Sequence, residues 1–351
     1  MRTHRLSRAQ LVDFSVDVNP LGFPPRLREI LLAHLDEIRD YPDPDAVALR
    51  EAIAEAHRVP SEAVLPGNGS AELITLIARL RPWAQALVVV PTFTEYAWTL
   101  THHGCDVATL ATREDDAFRV DTAPETWAAL LDGVEVVFLC NPNNPTGAAL
   151  PKPEVLALAR RCQTQGTLLV VDEAFVELTQ QPGTISVLPD APAVDNIVVL
   201  RSLTKTFAIP GLRLGYLVAS PELIESLRAR QSAWPLNTFA LAVGPSLFEE
   251  TAYLQRTRAV IARWRGELME SLRAIGGLDP FPSETNFLLC KLTTPALTAE
   301  ALAERLSQRG VLIRACDDFD GLEPGRFLRV AVRSPEDNDR LLDALRHALY
   351  P

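Results

Sequence analysis

What most constrains this chain is a rhythm. Five short runs rich in β-branched residues occur in order: ALVVV (86–90), VEVVFL (134–139), TLLVV (167–171), NIVVL (196–200) and LGYLVA (214–219). None alternates apolar with polar residues, so each suits a strand covered on both faces. Stretches of helical character lie among them, at 70–80, 94–103, 124–131, 151–165 and 221–230. Strand and helix in alternation predict a doubly wound, mainly parallel α/β sheet, whose ligands sit beyond the carboxyl ends of the strands.

The rhythm changes after about residue 236. A long helical stretch at 237–275, with Pro245 as a kink, leads to strands at 286–290, 311–314 and 327–332 and to helices at 298–309 and 335–349. A smaller α+β domain is expected there, and the turn-rich segment before Tyr41 is expected to pack with it. At 351 residues two domains are the prior. The expected division is a large domain at 40–236 and a small one at 1–39 plus 237–351, joined by a long helix from about 237.

Charge narrows the partners. A formal net charge of -11 argues against nucleic acid and anionic membranes. No apolar run reaches the roughly 18 residues of a membrane span, and MRTHRLSRAQ (1–10) lacks the apolar core of a signal peptide. A soluble cytoplasmic protein with a small-molecule partner is expected. Five widely spaced cysteines without a C-x-x-C pair suggest neither disulfides nor a metal site.

The basic residues carry a sharper signal. Of 34 Lys and Arg only three are Lys: Lys152, Lys205 and Lys291. Arg scarcely loses its proton, whereas Lys can, and its amine can then attack a carbonyl to form an imine. Lys205 lies in SLTKTFAIPGLRLGY (202–216), among residues suited to anion binding. Ser202 and Thr204 offer hydroxyls, Gly211 and Gly215 permit close backbone approach, and Arg213 offers a planar fork for phosphate. A solvated surface Lys is the alternative. Upstream, LPGNGSAEL (65–73) puts a glycine turn before a helix starting near Ser70, a ready phosphate site, although Ser70 as a plain N-cap explains it equally well.

Two strand ends add polar groups. LLVVDEAF (168–175) ends its strand at Asp172, where a carboxylate could keep a ring nitrogen protonated; an N-cap is the other reading. Glu173, alternating to the opposite side, reads as structural. CNPNNPTG (140–147) presents Asn141, Asn143 and Asn144 from a proline-restricted loop, and Asn144 could donate to a phenolate oxygen, or the loop is only a turn. An imine-forming Lys, a phosphate cup, an acid for a pyridine nitrogen and a donor for a ring hydroxyl converge on pyridoxal 5'-phosphate.

The ordered set YPD, GNGSAEL, PTFTEY, NPNNPTG, VVDEAF, SLTKTFAIPGLRLGY and FLRVAVR resembles the class I/II aminotransferase superfamily of fold type I over nearly the whole chain. Two branches come nearest, the histidinol-phosphate aminotransferases and the threonine-phosphate decarboxylases of cobalamin biosynthesis. DFSVDVNPLGFPP (13–25), GVLIRACDDFDGL (310–322) and FLRVAVRSPEDNDRLL (327–342) look more like the second. Phe175 stands where many aminotransferases of the superfamily have Tyr, which fits that branch.

The resemblance implies roles position by position. Lys205 would carry the cofactor covalently, Asp172 would pair with its pyridine nitrogen, Asn144 would hold its 3'-oxygen and Phe93 would stack on its ring. Gly69, Ser70, Ser202, Thr204 and Arg213 would hold its phosphate. Tyr41 would reach over from a second subunit, since sites of this family are shared across a homodimer. Arg329 would grip the substrate α-carboxylate with Asn19 nearby, and Arg314 and Arg333 are candidates for a second substrate anion. The implied reaction is decarboxylation of L-threonine O-3-phosphate to aminopropanol phosphate, with histidinol-phosphate transamination using 2-oxoglutarate or glutamate as the alternative.

Overall fold

A computed structural model describes residues 11–350. The reading of residues 1–10 as lacking a signal peptide therefore lies outside the described residues. The chain begins with β1 (Val12–Asp13), followed by β2 (Val64–Gly67), β3 (Gln85–Val90), β4 (Asp106–Ala111), β5 (Val136–Cys140), β6 (Leu168–Asp172), β7 (Ile197–Ser202) and β8 (Gly215–Val218). Later come β9 (Leu278–Pro280), β10 (Phe287–Leu292), β11 (Val311–Leu312), β12 (Arg314–Ala315) and β13 (Phe327–Ala331).

Strands β2 to β8 form one seven-stranded sheet in the order β2-β8-β7-β6-β5-β3-β4. All neighbours run parallel except β8, which is antiparallel to both β2 and β7. The five β-branched runs became β3, β5, β6, β7 and β8, and the middle strands are buried throughout. Each such Val, Leu or Ile contributes about 1.5–3 kcal/mol by leaving water, which ties these runs to the sheet interior. One apolar cluster covers each face, one built around Val137, Leu169 and Val199, the other around Phe138, Val170 and Val198.

Two strands had no sequence signal of this kind. Edge strand β4 is largely solvent-exposed, so no core requirement marks its composition. β2 is four residues ending in Pro66 and Gly67, which read as a turn.

A second sheet has the order β12-β13-β10-β9 and is antiparallel; β1 pairs separately, in parallel, with β11. The expected strand at 311–314 is thus split between two sheets. Leu288, Cys290, Leu328 and Val330 pack with helices Thr251–Ile275, Ala299–Ser307 and Pro335–Leu349 into a third apolar cluster. The last helix begins where Ser334 accepts from the Asp337 amide at 3.2 Å and Pro335 fills the first turn.

The helical stretch expected at 237–275 is two helices, Thr238–Leu247 and Thr251–Ile275, with the break at 248–250. Pro245 lies inside the first of them rather than at the break. Ala240, Val243 and Leu247 of that first helix pack into the seven-stranded sheet's core.

Candidate active site

The carboxyl ends of the central strands open into a cavity of about 210 Å³. Ser70, Phe93, Asn144, Asp172, Ser202, Thr204, Lys205 and Arg213 line it. Segments from residue 70 to residue 213 are gathered there because the parallel strands β3, β5, β6 and β7 all end on one side of the sheet.

Asp172 closes β6 and is only 3% exposed. It accepts a hydrogen bond from the Tyr96 hydroxyl at 2.7 Å and one from the Ala174 amide at 2.9 Å. Burial pushes its pKa above the ordinary carboxylate range; the Tyr96 and Ala174 bonds and the Lys205 charge pull the other way. Burial also holds the Tyr96 phenol well above its usual pKa, so it remains a donor to Asp172. A protonated ring nitrogen would supply the cationic donor such a buried carboxylate favours.

Lys205 lies on the short helix Leu203–Thr206, directly after β7. Its Nζ is 5.8 Å from the centre of the Phe175 ring and forms an ion pair with Asp17. Asp17, 4% exposed, also contacts Arg329 Nη1 at 2.9 Å through its other oxygen. Burial alone would raise the Asp17 pKa, but Arg329 and Lys205 outweigh it and hold the carboxyl below its ordinary range.

The phosphate-type groups sit at one end. Ser202 and Thr204 hydroxyls lie 2.7 Å apart. A side chain on Gly215 would meet the Ser70 amide nitrogen at 2.9 Å, and one on Gly69 would meet Arg213 Nη2 at 2.6 Å. Gly215 thus lets the helix N-terminus at Ser70 come close, and Gly69, with φ of +75°, adopts a backbone conformation that side-chain-bearing residues rarely take. Amine, buried acid, aromatic face at Phe93 and anion cup together fit pyridoxal 5'-phosphate.

Other expected site residues stand further off. Arg329 is 6% exposed, donates to Asn144 Oδ1 and to the Ser15 carbonyl, and contacts Asp17, but does not itself line the cavity. Arg314 is engaged by Asp318 at 2.6 and 2.8 Å, and Arg333 by Asp337 at 2.9 Å. Asn19 donates to the Thr206 carbonyl at 2.8 Å and to Thr257 Oγ1 at 3.0 Å while its Oδ1 accepts from Leu21, so it braces the Lys205 helix. Tyr41 is 83% exposed, lies against Trp234 with tilted rings whose centres are 4.8 Å apart, and lines a separate surface hollow.

Sequence reasoning missed Tyr96 and Asp17. Tyr96 was visible as the last residue of PTFTEY, and a Tyr one helical turn beyond a cavity-lining Phe is a usable hint. Asp17 had no local signal. Among the described residues there is no His, Cys, Asp and Glu group that could hold a metal ion, and no helix is long and apolar enough to cross a membrane.

A doubly wound sheet with an amine, a buried acid and an anion cup at its carboxyl rim has the architecture of the fold-type I pyridoxal-phosphate transferases. The chain belongs to the aminotransferase class I and II family, whose sequence profile matches residues 9–345. It is 38% identical to the threonine-phosphate decarboxylase of Salmonella typhimurium, over 98% of this chain and 93% of that protein. It is 34% identical to the histidinol-phosphate aminotransferase of Symbiobacterium thermophilum, over 97% and 91%. The crystal structure of L-threonine-O-3-phosphate decarboxylase from Porphyromonas gingivalis superposes with a TM-score of 0.85 at 27% identity, covering 97% of this chain and 100% of that one.

Proposed function

We propose that this enzyme uses pyridoxal 5'-phosphate to decarboxylate L-threonine O-3-phosphate, yielding aminopropanol phosphate and carbon dioxide. The observation that carries the cofactor assignment is the single cavity in which Lys205, Asp172 and the Ser70, Ser202, Thr204 and Arg213 cup meet. The choice of reaction is supported by near full-length similarity to a threonine-phosphate decarboxylase and by Phe175, whose ring offers no hydroxyl to the cofactor's 3'-oxygen.

When bound, the cofactor would supply an electron sink for the bond broken at Cα. The chain supplies everything that selects and completes the reaction. Lys205 provides the amine that anchors the cofactor. Asp172 keeps the ring nitrogen protonated, Asn144 holds the 3'-oxygen, Phe93 covers the ring, and Gly69, Ser70, Ser202, Thr204 and Arg213 hold the phosphate. Arg329, with its planar fork, would hold the substrate α-carboxylate. Loss of the carboxylate as carbon dioxide would leave the bonding electron pair at Cα, and Lys205 would deliver the proton that takes the carboxylate's place there. Arg314 and Arg333 are the candidate grips for the substrate phosphate once they leave Asp318 and Asp337.

We infer a cytoplasmic location and a homodimer. The dimer is supported by Tyr41 and by the exposed apolar residues Leu32, Leu35 and Ile38 close to it in sequence, which a second copy would cover. Tyr41 of one copy would then reach the cavity of the other.

The test is incubation with L-threonine O-3-phosphate. Release of carbon dioxide with formation of aminopropanol phosphate is the expected result. Amino transfer between histidinol phosphate and 2-oxoglutarate without gas release would instead select the aminotransferase reading, which the similarity to histidinol-phosphate aminotransferases supports.

A further inference from the structure

Asp17 is a buried carboxylate lying between two cations of the proposed catalytic machinery. One oxygen pairs with Lys205 Nζ, the other lies 2.9 Å from Arg329 Nη1. We propose that Asp17 is a built-in stand-in for the substrate's carboxylate. It occupies Arg329 while no substrate is present, and the incoming amino acid binds by exchanging its own carboxylate for that of Asp17. This rests on the reading of Arg329 as the carboxylate grip.

Three observations carry it. First, Asp17 satisfies Arg329 only in part. Nη1 is shared between Asp17 and Asn144, Nη2 is spent on the Ser15 carbonyl, and Nε is buried without a hydrogen-bond partner. A bidentate carboxylate would use two donors, so exchange has a gain to draw on. Second, the exchange needs only a side-chain movement. The Asp17 and Val18 carbonyls accept from Asn286 Nδ2 at 3.0 and 3.1 Å, and the Asn19 amide donates to the Lys205 carbonyl at 3.0 Å, so the backbone is tied on both sides. Third, the two Asp17 oxygens have different partners, one Lys205 Nζ and the other Arg329 Nη1, so the Arg329 contact can be given up independently of the other.

The device has a consequence for turnover. The substrate carries a carboxylate and the amine product does not. Once the carboxylate has departed as carbon dioxide, the product has no carboxylate to exchange with that of Asp17 at Arg329, and Asp17 returns. Carboxylate-bearing ligands therefore meet a competitor that carboxylate-free ligands never meet. If Asp17 holds Arg329 about nine-tenths of the time, the apparent affinity for a carboxylate ligand is lowered about tenfold.

Calorimetric titration of the cofactor-loaded enzyme tests this with two unreactive ligands. 3-Phosphooxybutyrate is the substrate without its amine, and isopropyl phosphate lacks both amine and carboxylate. In Asp17→Asn, 3-phosphooxybutyrate is expected to bind about tenfold tighter while isopropyl phosphate is unchanged. Asp17→Ser, which also removes the charge, should behave in the same way and serves if the Asn variant does not fold. Unchanged or weaker binding of 3-phosphooxybutyrate in the folded variants overturns the proposal, because Asp17 would then support Arg329 rather than compete for it. Arg329→Gln separates the two readings. If it weakens 3-phosphooxybutyrate binding while Asp17→Asn leaves that affinity unchanged, Arg329 stands as the grip and only the exchange falls. If it leaves that affinity intact, both fall.

Discussion

Asp172 and Glu173 are neighbours at the end of β6, both almost fully buried, and they face opposite sides of the sheet with opposite surroundings. Glu173 lies in a closed circuit. It accepts from Arg201 Nε at 2.9 Å, Ser186 Oγ at 2.7 Å and the Val187 amide at 2.7 Å, and Arg201 reaches on to Glu177 at 2.7 Å, which Arg258 also holds. Burial works against the Arg201 charge, but Glu173 and Glu177 outweigh it and keep the guanidinium firmly protonated. Asp172 accepts from one hydroxyl and one amide and lines a cavity. A carboxylate whose bonds are all met by the chain secures the fold, whereas one left with capacity toward a cavity is held for a ligand.

The largest expected effect lies on the cavity side. Lys205→Ala removes the one amine in the cavity and should cut turnover by more than about 10⁴-fold, since removing a nucleophile abolishes rather than weakens its route. Borohydride should trap the cofactor on the parent protein and not on the variant; trapping on Lys205→Ala would move the chemistry to another lysine. Asp172→Asn should cost about 10³-fold in turnover, within the range a positioned acid or base supplies. Its thermal stability should match or exceed the parent's, because a buried carboxylate held only by neutral donors is replaced by an amide. A variant that lost stability and kept activity would erase the distinction between the two neighbours.

Both halves of this contrast were legible in sequence as positions, Asp172 at the strand end and Glu173 on the opposite side, but the distant partners of Glu173 were not. Lys205, Asp172, Ser202 and Asn144 each lie just after a β-branched run, so locating the strand located the residue. Rarity helped as well, since a Lys in an Arg-dominated chain stands out. Asp17 reaches its partner Lys205 across 188 residues, and no local spacing records such a contact. Edge strand β4 was silent because exposure leaves its composition unconstrained. The strand expected at 311–314 is in the right place but divided between two sheets, because residue type does not say that Val311 will pair with Val12 and Arg314 with Arg329.

Beneath the sheet the expected effects reverse in kind. Glu173→Gln leaves Arg201 short of a charge partner in a buried site and should cost about 3 kcal/mol of stability, the lower end for breaking a buried ion pair. Turnover per folded molecule should stay near the parent's, as Glu173 does not line the cavity. Urea unfolding and active-site titration on the same sample separate the two quantities. A large fall in turnover with intact stability would assign Glu173 to the chemistry.

The smallest effect sharpens the comparison through pH. His57 packs beside the Arg201 network, with its Nε2 2.7 Å from the Tyr216 hydroxyl. Burial, reinforced by the Arg201 charge and opposed by Glu177, pushes its pKa from 6.5 down to about 4. The unfolded chain takes up this proton near its ordinary pKa, whereas the folded chain resists until near the lowered one. His57 therefore contributes its full stabilisation above the unfolded value and loses it as pH falls toward the folded one. Between about pH 7.5 and about pH 5 the loss from this one group is about 2 kcal/mol. His57→Gln should flatten that part of the acid limb in urea unfolding midpoints, with an unchanged slope assigning the acid sensitivity elsewhere. The cavity side should not share this limb through Asp17, whose pKa is held below the carboxylate range by Arg329 and Lys205, so its contribution is lost only at still lower pH.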